Sequence, residues 1–526
     1  MVNRGRSGAC GTCKQRRVKC DETKPQCRSC QRLSLHCEGY AKSKQTTLRF
    51  KEQNSKFGAK DNRSISRRHH TPGKIVNDPK LTSNPAEPDN AVDFYLGHYA
   101  RMGRDMESTR GFFEMLIPVY STQPQDSALS LAISVLASET LRMWQQDASS
   151  FTCPRKTYSE SIARLRTAVQ DPKERSQPAT VFAILTLQIY ENACAIYGRR
   201  QVSTTHHTGA ASLLSFLDAN EMDETLRVHL HRFMLHTEVS AALRQKRPLK
   251  NIAYSWLESN NTDAVPANPS SSLDAISVLF VELQAIYLEL VTKLQDIQLS
   301  KCILDDWRTK AKKIETDLLT WAENVPRSWN PRRLVSVRDV DSRVPTYHSI
   351  CEVYPSCQIA SIWNLWHVQR LLLAKMALDF DTLFSNPEDG RRHQGLCEAT
   401  AYQKTIQDMV DSICYSIPFY LGNRNARSAL ADFTDPTILL PSTCLKVRQG
   451  LLSNGQVKED LGQSIIAQGP WRAMHPVSRL LTLFSEDDGE KMSSFLRAGQ
   501  QEWISDQFLR IATLLHLPSQ STEIDQ

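Results

Sequence analysis

Six cysteines near the N-terminus are the residues whose type and spacing most clearly predict chemistry. They form two C-x2-C-x6-C groups, the second 17 residues after the first: Cys10, Cys13, Cys20, Cys27, Cys30 and Cys37. A C-x2-C pair lets two thiolates reach one zinc ion from a tight turn, and zinc takes four ligands in a tetrahedron. The first residues are basic and no apolar run follows them, so we expect no secretory leader and a reducing compartment. In such a compartment, dense cysteines favour metal over disulfides.

Two zinc ions need eight bonds, and six thiolates supply them only if two sulfurs bridge both ions. The repeat predicts that the bridging residues are the equivalent ones, Cys10 and Cys27. The first ion would then be bound by four sulfurs, those of Cys10, Cys13, Cys20 and Cys27. The second ion would be bound by those of Cys10, Cys27, Cys30 and Cys37. A segment with so few apolar residues has almost no core without metal, so folding and zinc binding should be one event.

Two other interpretations of the cysteines are a thioredoxin-like redox pair and a disulfide knot. A redox pair needs one C-x2-C within an α/β domain, whereas here the motif is doubled within a basic arm. The remaining eight cysteines are scattered and lie mostly in apolar stretches, as buried free thiols do: Cys153, Cys194, Cys302, Cys351, Cys357, Cys397, Cys414 and Cys444.

Positive charge is concentrated around the cysteines. Residues 1–80 contain 20 Lys and Arg against 6 Asp and Glu, and the whole chain has a net charge of +7. A basic head on a mildly acidic body is typical of a protein that binds a polyanion, most often nucleic acid. A solvated basic tail is the alternative if charge alone is considered.

The first cysteine group carries most of the cations that could contact DNA. Four of them fall within six residues: Lys14, Arg16, Arg17 and Lys19. The equivalent stretch of the second group, residues 31–36, has one full charge. We therefore expect the first group to face the duplex and Leu33 and Leu35 to pack inward. Arg and Lys suit the O6 and N7 acceptors of guanine, which favours G-containing sites.

The run from Gly8 to Cys37 resembles the DNA-binding domain of the fungal zinc binuclear cluster family. The match covers all six cysteines, the basic run KQRRVK and Pro25. The resemblance implies two bound zinc ions and two short helices, one after each C-x2-C, with the first presented to the major groove. It also implies recognition of CGG-type triplets.

By its position relative to the cysteines, Arg17 matches the family's main base-contacting residue, with Arg16 beside it. The family more often has Lys at this position, which affects the detailed contact. Phosphate contacts, which position the module without reading sequence, are expected from four further cations: Lys14, Lys19, Arg28 and Arg32. Any of these cations could instead be a solvated surface charge.

Residues 41–90 form a polar, basic segment that we predict to be a disordered linker between a DNA-binding domain at 1–40 and a body at 91–515. We expect a disordered tail at 516–526. The linker contains no sustained heptad, and several prolines would interrupt one. The sequence therefore leaves open whether the chain forms a homodimer.

The body is predicted to be all-α. An apolar face from Leu279 to Ile297 recurs at helical spacing, and Ser271 and Asp274 suggest a capping box at its start. The next helix, from Ile303, should end near Val325 because Pro326 follows. Two further predictions are a helix that Pro418 stops, and a buried helix over the apolar run 181–190. No run is long and apolar enough to predict a membrane span.

Scattered segments of the body resemble the fungal-specific transcription factor domain, an α-helical regulatory region. They are Tyr190-Glu191 followed by His207-Thr208-Gly209-Ala210, and residues 413–418 followed by Leu421-Gly422. The match spans about residues 91–515 and identifies no ligand.

The function predicted from these features is a nuclear, sequence-specific regulator of transcription by RNA polymerase II. Its expected partners are double-stranded DNA and the transcription machinery or co-regulators, with no membrane. The resemblance extends this to control of a specialised-metabolite or catabolic gene cluster. The alternative is a zinc-dependent nucleic-acid-binding protein, or a zinc store, without a sequence-specific regulatory role. The chain has no phosphate-binding loop, nucleophile elbow or HExxH motif, so we do not expect an enzyme. His206-His207 is the pair of residues that most resembles a catalytic site. The acidic run 486–488 could be a small interaction patch or solvated charge.

Overall fold

The computed structural model describes residues 10–37 and 90–518, apart from positions 17, 19, 22, 24, 25, 102–107, 109, 146–154, 199–202, 215–216, 218–222, 260–261, 264, 294–300, 385–391, 445–454 and 486–491. The chain divides into two compact units, Met1–Asp78 and Pro79–Gln526. The predicted linker lies almost entirely outside the described residues.

The first unit contains two short helices, α1 (Gly11–Gln15) and α2 (Arg28–Arg32). Each helix begins inside its C-x2-C motif and includes the second cysteine, whereas the sequence predicted helices that follow the motif. Cys27 is the N-cap of α2, and its sulfur accepts a hydrogen bond from the backbone N–H of Cys30. The cysteines therefore both start the helices and face the interior.

The second unit is built from helices, so the predicted all-α class is confirmed. Its first half contains α3 (Ala91–Tyr95, continued as a π-helical turn Leu96–Arg101), α4 (Phe112–Ser121), α5 (Ala128–Trp144), α6 (Arg155–Gln170), α7 (Pro172–Arg175), α8 (Pro178–Tyr197), α9 (Thr205–Leu214), α10 (Glu224–Gln245) and α11 (Ile252–Glu258). Its second half contains α12 (Pro269–Lys293), α13 (Lys301–Asn324), β1 (Arg332–Val335), β2 (Ile350–Val353), α14 (Cys357–Phe384), α15 (Arg392–Leu421), α16 (Pro441–Cys444), α17 (Gly455–Ser485) and α18 (Gln500–Leu514). Short 3-10 turns lie at Arg327–Trp329 and Leu430–Phe433.

One continuous apolar core runs through this unit. In the first half, α5 and α8 pack together and α3, α6 and α9 cover them. In the second half, α14 contacts α12, α13, α15 and α17, and α18 packs on α17. The predicted buried helix over 181–190 is confirmed, because this run lies in α8 and is buried almost throughout.

The start of α12 corrects the predicted capping box. The helix begins at Pro269, and Asn268 supplies the side-chain cap: its Oδ1 accepts the N–H of Ser271 at 2.9 Å while Ser271 Oγ accepts the N–H of Asn268 at 3.0 Å. Asp274 is instead buried and bound to Arg110, which precedes α4, and to His236 of α10. An amide can make the same reciprocal pair as the predicted serine, which explains the earlier start.

The apolar face predicted for α12 is correct in part. Leu283 and Leu290 are buried, but Leu279 is 37% exposed. The last two predicted positions, Leu294 and Ile297, lie outside the described residues. The prediction that the following helix ends near Val325 is confirmed, since α13 ends at Asn324. Ile303, which the sequence marked as the start of this helix, is 46% exposed.

Pro418 does not stop α15, contrary to the prediction. The helix continues to Leu421, and Gly422 follows with φ +60° and donates its N–H to the Pro418 carbonyl at 2.9 Å. Proline removes one helical hydrogen bond. The last turn is held instead by burial, because Phe419, Tyr420 and Leu421 are each 0% exposed.

A two-stranded antiparallel hairpin, β1 with β2, is the described sheet of this unit, and the sequence did not predict it. Its strands are four residues each, too short for a clear alternation pattern. The described chain also extends past the predicted end of the body. His516 Nε2 bonds to the Ser428 carbonyl at 2.8 Å, and Leu517 N–H donates to Ala512 O at 2.8 Å.

Two described helices are long and apolar enough to cross a bilayer by length and composition alone, Pro178–Tyr197 and Pro269–Thr292. Core helices of globular folds meet the same criterion. Here 67% of the first apolar stretch and 39% of the second are buried inside the structure. The expected lack of a membrane partner stays a prediction.

Candidate metal centre

The structure brings the six cysteines of the first unit together. Their sulfurs form two groups in which all atoms lie within 4.8 Å of one another. One group is Cys10, Cys13, Cys20 and Cys27, and the other is Cys10, Cys27, Cys30 and Cys37. These are the two sets that the spacing predicted, and Cys10 and Cys27 belong to both.

The sulfur separations fit tetrahedral zinc. With a Zn–S bond of about 2.3 Å, the edge of a ZnS4 tetrahedron is about 3.8 Å. The Sγ atoms of Cys10 and Cys27 are 3.6 Å apart, those of Cys13 and Cys27 3.7 Å, and those of Cys10 and Cys30 3.9 Å. Cys13 and Cys30 also lie 3.8 Å apart, although edge-sharing tetrahedra hold terminal sulfurs of different ions farther apart than this. The shared-edge assignment therefore rests on the two four-sulfur sets and not on that pair.

The two cysteine groups fold in the same way. The N–H of Cys13 donates to Cys10 Sγ at 3.4 Å, and the N–H of Cys30 donates to Cys27 Sγ at 3.3 Å. Cys10 and Cys27 therefore occupy equivalent positions, and each receives a backbone hydrogen bond that favours a thiolate.

Burial raises the pKa of Cys13, Cys27 and Cys30 above that of a free thiol. Four sulfurs crowded into one site cannot all ionise without a cation, because like charges repel at this distance. A divalent ion removes this difficulty, and its binding releases the thiol protons. The donor set thus fits zinc.

Two polar residues that the sequence interpretation missed connect the halves of this unit. Thr12 Oγ1 donates to the carbonyl of His36 at 2.9 Å. Asp21 Oδ2 accepts the N–H of Arg28 at 3.0 Å at the start of α2, and hydrogen bonds from Thr23 and Arg28 lower the pKa of Asp21. An acidic residue between the cysteine groups was the available signal, because carboxylates stabilise helix N-termini.

Leu33 and Leu35 do not pack inward as predicted. They are 52% and 39% exposed, and Val18 in the first cysteine group is 45% exposed. Among the described residues of this unit, the buried cluster consists of cysteines. A core made of sulfur leaves no apolar space for leucine side chains.

The predicted DNA-contacting residues are only partly described. Arg16, Arg28 and Arg32 are exposed, so their side chains are accessible to a polyanion. The backbone of Lys14 lies in α1. Arg17 and Lys19 lie outside the described residues.

In the second unit, the segments that suggested a regulatory domain lie at helix contacts. Glu191 Oε1 accepts the hydroxyl of Tyr158 at 2.5 Å and bonds to His206 Nε2 at 2.9 Å, which links α6, α8 and α9. His207 is buried, and burial lowers its pKa. The adjacent histidines therefore have different surroundings. The acidic run 486–488 lies outside the described residues.

Residues 8–47 match the model of the Fungal Zn(2)-Cys(6) binuclear cluster domain. The N-terminus is therefore a zinc binuclear cluster domain, which binds two zinc ions. No solved structure matches the chain.

Three curated proteins are similar to short parts of the chain. "Pestheic acid cluster transcriptional regulator 3" of Pestalotiopsis fici is 58% identical over 41 residues, 8% of this chain and 7% of that protein. "Aspercryptin biosynthesis cluster-specific transcription regulator atnN" of Emericella nidulans is 42% identical over 74 residues, 14% of this chain and 12% of that protein. "Transcriptional regulatory protein moc3" of Schizosaccharomyces pombe is 56% identical over 34 residues, 6% of this chain and 7% of that protein. The chain thus spans about a tenth of the length of these relatives in each match.

Proposed function

We propose that this chain is a sequence-specific DNA-binding regulator of RNA polymerase II transcription that reads CGG-type triplets through its zinc cluster. The observation that carries the proposal is the pair of four-sulfur sets sharing Cys10 and Cys27, within a segment that matches the binuclear cluster domain. All three similar proteins are named as transcriptional regulators, which supports the same class.

The proposed ligands follow the two sulfur sets, with Cys10 and Cys27 bridging the ions and the other four cysteines terminal. Bound zinc would supply structural cross-links here, because all its coordination positions are taken by sulfur. The chain's own residues then do the recognition. Asp21 and Thr12 hold the second cysteine group against the first, and the exposed arginines face solvent where a phosphate backbone can approach.

Base reading is assigned to Arg17 with Arg16 beside it, and phosphate contacts to Lys14, Lys19 and two further cations, Arg28 and Arg32. A guanidinium can donate two hydrogen bonds to guanine O6 and N7, which makes it a base reader. Single cations near phosphates add affinity for every sequence alike.

The regulated genes are proposed to form a specialised-metabolite cluster, because two of the similar proteins are named as cluster regulators. Action on such genes places the chain in the nucleus. The helical body is proposed to be the regulatory region that contacts the transcription machinery or co-regulators, as its resemblance to the fungal-specific transcription factor domain suggests.

The test is fluorescence anisotropy of the zinc-loaded full chain with two labelled duplexes of equal length, one bearing CGG triplets and one scrambled. We expect a preference of about a thousandfold or more for the first at a fixed salt concentration. Equal affinity for both duplexes would contradict the proposal and favour a nucleic-acid-binding protein without sequence preference.

Two substitutions separate the roles within the cluster. Arg17→Ala should cost about 1–3 kcal/mol on the CGG duplex and relax the preference, whereas Lys14→Ala should weaken binding to both duplexes alike. The matched control is Arg332→Ala, which removes an exposed arginine of β1 in the other unit and changes the net charge equally. A loss of affinity without loss of preference in Arg17→Ala would assign that residue to the phosphate contacts.

A further inference from the structure

Helix α12 is apolar, but the rest of the described structure covers it only in part. Its stretch Pro269–Thr292 has a mean hydropathy of 1.7, yet only 39% of it is buried, against 67% of the apolar stretch of α8. Leu279 of α12 is 37% exposed, and Tyr254 of α11 is 38% exposed. A helix of a folded domain normally turns its apolar side to the core. Part of the apolar surface of α12 instead lies in contact with solvent.

The solvent side of α12 forms one continuous stripe. Its positions recur at alternating spacings of four and three residues, which keeps their side chains on one face of a helix. Tyr254 donates its hydroxyl to Glu282 Oε1 at 2.8 Å, which places α11 beside this face. We call the α12 stripe the five positions on this face, none of which is fully buried: Ala275, Leu279, Glu282, Ile286 and Glu289.

The charge around the α12 stripe has one sign. Residues 251–292 contain five acidic residues and no lysine, arginine or histidine. One of the five, Asp274, is buried in an ion pair. Three others, Glu258, Asp263 and Glu282, make no ion pair with any residue that the structure describes. The stripe is therefore an apolar surface within a negative electrostatic field.

We propose that the α12 stripe binds an amphipathic helix of a partner protein whose polar face carries lysine and arginine. Apolar side chains of the partner pack against Leu279 and Ile286, as in other helix-on-helix recognition at heptad spacing. Its cations pair with Glu282 and Glu289, which follow these two apolar positions along the helix. The stripe from Ala275 to Glu289 is about 21 Å long, which accommodates about four turns of the partner helix.

The charge of the stripe also disfavours other occupants. Two copies of this chain would bring together two faces that carry only negative charge, and like charges opposite each other oppose association. A nucleic acid is disfavoured for the same reason. The charge thus selects a basic partner. This inference goes beyond the proposed function, because it does not depend on the zinc cluster or on the CGG triplet.

The experiment is fluorescence anisotropy of the full chain with a labelled synthetic peptide that carries leucines at heptad spacing and lysines elsewhere. The basic first unit repels this peptide, so binding reports on the second unit. We expect saturable binding that weakens as salt is added. A scrambled peptide of the same composition has no apolar face and should bind at least about tenfold more weakly. Equal affinity of the two peptides, or no saturable binding, would overturn the proposal.

One substitution tests the apolar contact. Leu279→Gln should weaken peptide binding about tenfold, because it removes an exposed apolar side chain from the stripe. Leu509→Gln is the matched control, since Leu509 is 64% exposed on α18 and its replacement should leave binding unchanged. Unchanged binding in Leu279→Gln would contradict the assignment. A dimer of the chain alone that Leu279→Gln dissociates in sedimentation would also overturn it, because a second copy would then cover the stripe.

Charge reversal separates peptide binding from folding. Glu282→Lys combined with Glu289→Lys should weaken binding of the basic peptide about tenfold or more. The same variant should bind an acidic twin peptide, with glutamates in place of lysines, more tightly than the native chain does. A folding defect cannot transfer affinity to the opposite charge. The control is Glu160→Lys combined with Asp506→Lys, which changes the net charge equally at exposed positions of α6 and α18. No gain for the acidic twin, or the same change in the control, would contradict the assignment.

Discussion

Replacing Asp274 with asparagine should destabilise the helical unit far more than the replacement of an exposed aspartate. Asp274 is 1% exposed in α12, and its Oδ2 and Oδ1 accept two hydrogen bonds from Arg110 at 2.5 and 3.0 Å. His236 Nδ1 of α10 bonds to the same carboxylate at 2.9 Å. The carboxylate therefore ties three parts of the chain together.

The magnitude follows from the pKa of this carboxyl. Burial alone would raise it, but the charge of Arg110 and the hydrogen bonds outweigh burial and lower the pKa of Asp274 to about 2. Burial and the charge of Arg110 lower the pKa of His236, whose ring bonds to the same carboxylate. A difference of about two units from the unfolded value of about 3.9 corresponds to about 2.6 kcal/mol of stability. Asparagine would also leave the buried Arg110 without a counter-charge, for a total cost of about 3–5 kcal/mol.

The sign of the pH dependence is set by the lowered pKa. The contribution of Asp274 is fully present above the unfolded pKa and is lost as pH falls through the folded pKa. About half of it, roughly 1.3 kcal/mol, should be gone at pH 3. Since asparagine does not titrate, the stability gap between the native chain and Asp274→Asn should narrow by this amount between pH 7 and pH 3.

The assay is urea unfolding followed by tryptophan fluorescence, because all nine tryptophans lie in the helical unit. Asp341→Asn is the control, since pairing with Arg343 also lowers the pKa of Asp341 to about 2, but that pair is exposed to solvent. We expect its effect to be too small to resolve. An equal effect of the two substitutions, or a gap that is the same at both pH values, would refute the reasoning.

Three further outcomes are expected. Cys10→Ala should reduce the zinc content to about zero per chain and Cys13→Ala to about one, because of these two residues only Cys10 belongs to both sulfur sets. Equal zinc losses in the two variants, measured by mass spectrometry, would contradict the bridging assignment. Leu33→Ser should leave the thermal stability of the zinc cluster unchanged because that side chain is 52% exposed, and a lower melting temperature by circular dichroism would show that the leucine is packed. Gly422→Ala should destabilise the chain by more than about 1 kcal/mol, since φ is +60° and a Cβ would meet the carbonyl oxygen of Leu439. Unfolding in urea measures this change, and an unchanged free energy of unfolding would contradict the close contact.

The metal centre was predictable from sequence because its chemistry is local. The spacing within about thirty residues determines which sulfurs can reach the same ion. The coordination number of zinc determines how many sulfurs must be shared between the two ions. The repeat therefore identified both four-sulfur sets, with Cys10 and Cys27 in common, as the structure has them. The inward packing predicted for Leu33 and Leu35 was wrong. Apolar side chains were expected to enter a core, and a sulfur cluster does not provide one.

The all-α class of the body was predictable from periodicity, but its details depend on tertiary contacts. Pro418 was expected to end a helix, and burial of the following turn overrides that local preference. The partners of Asp274 lie 164 and 38 residues away in sequence, so nothing local could identify them.

Zinc content and DNA binding of the same sample test the central claim most directly. The full chain is purified with zinc, its metal is counted by mass spectrometry, and anisotropy on the CGG duplex is followed during chelation and zinc return. We expect about two zinc ions per chain, with loss of binding on chelation and recovery on return of zinc. One ion or none per chain, or binding that survives complete removal of the metal, would contradict the account.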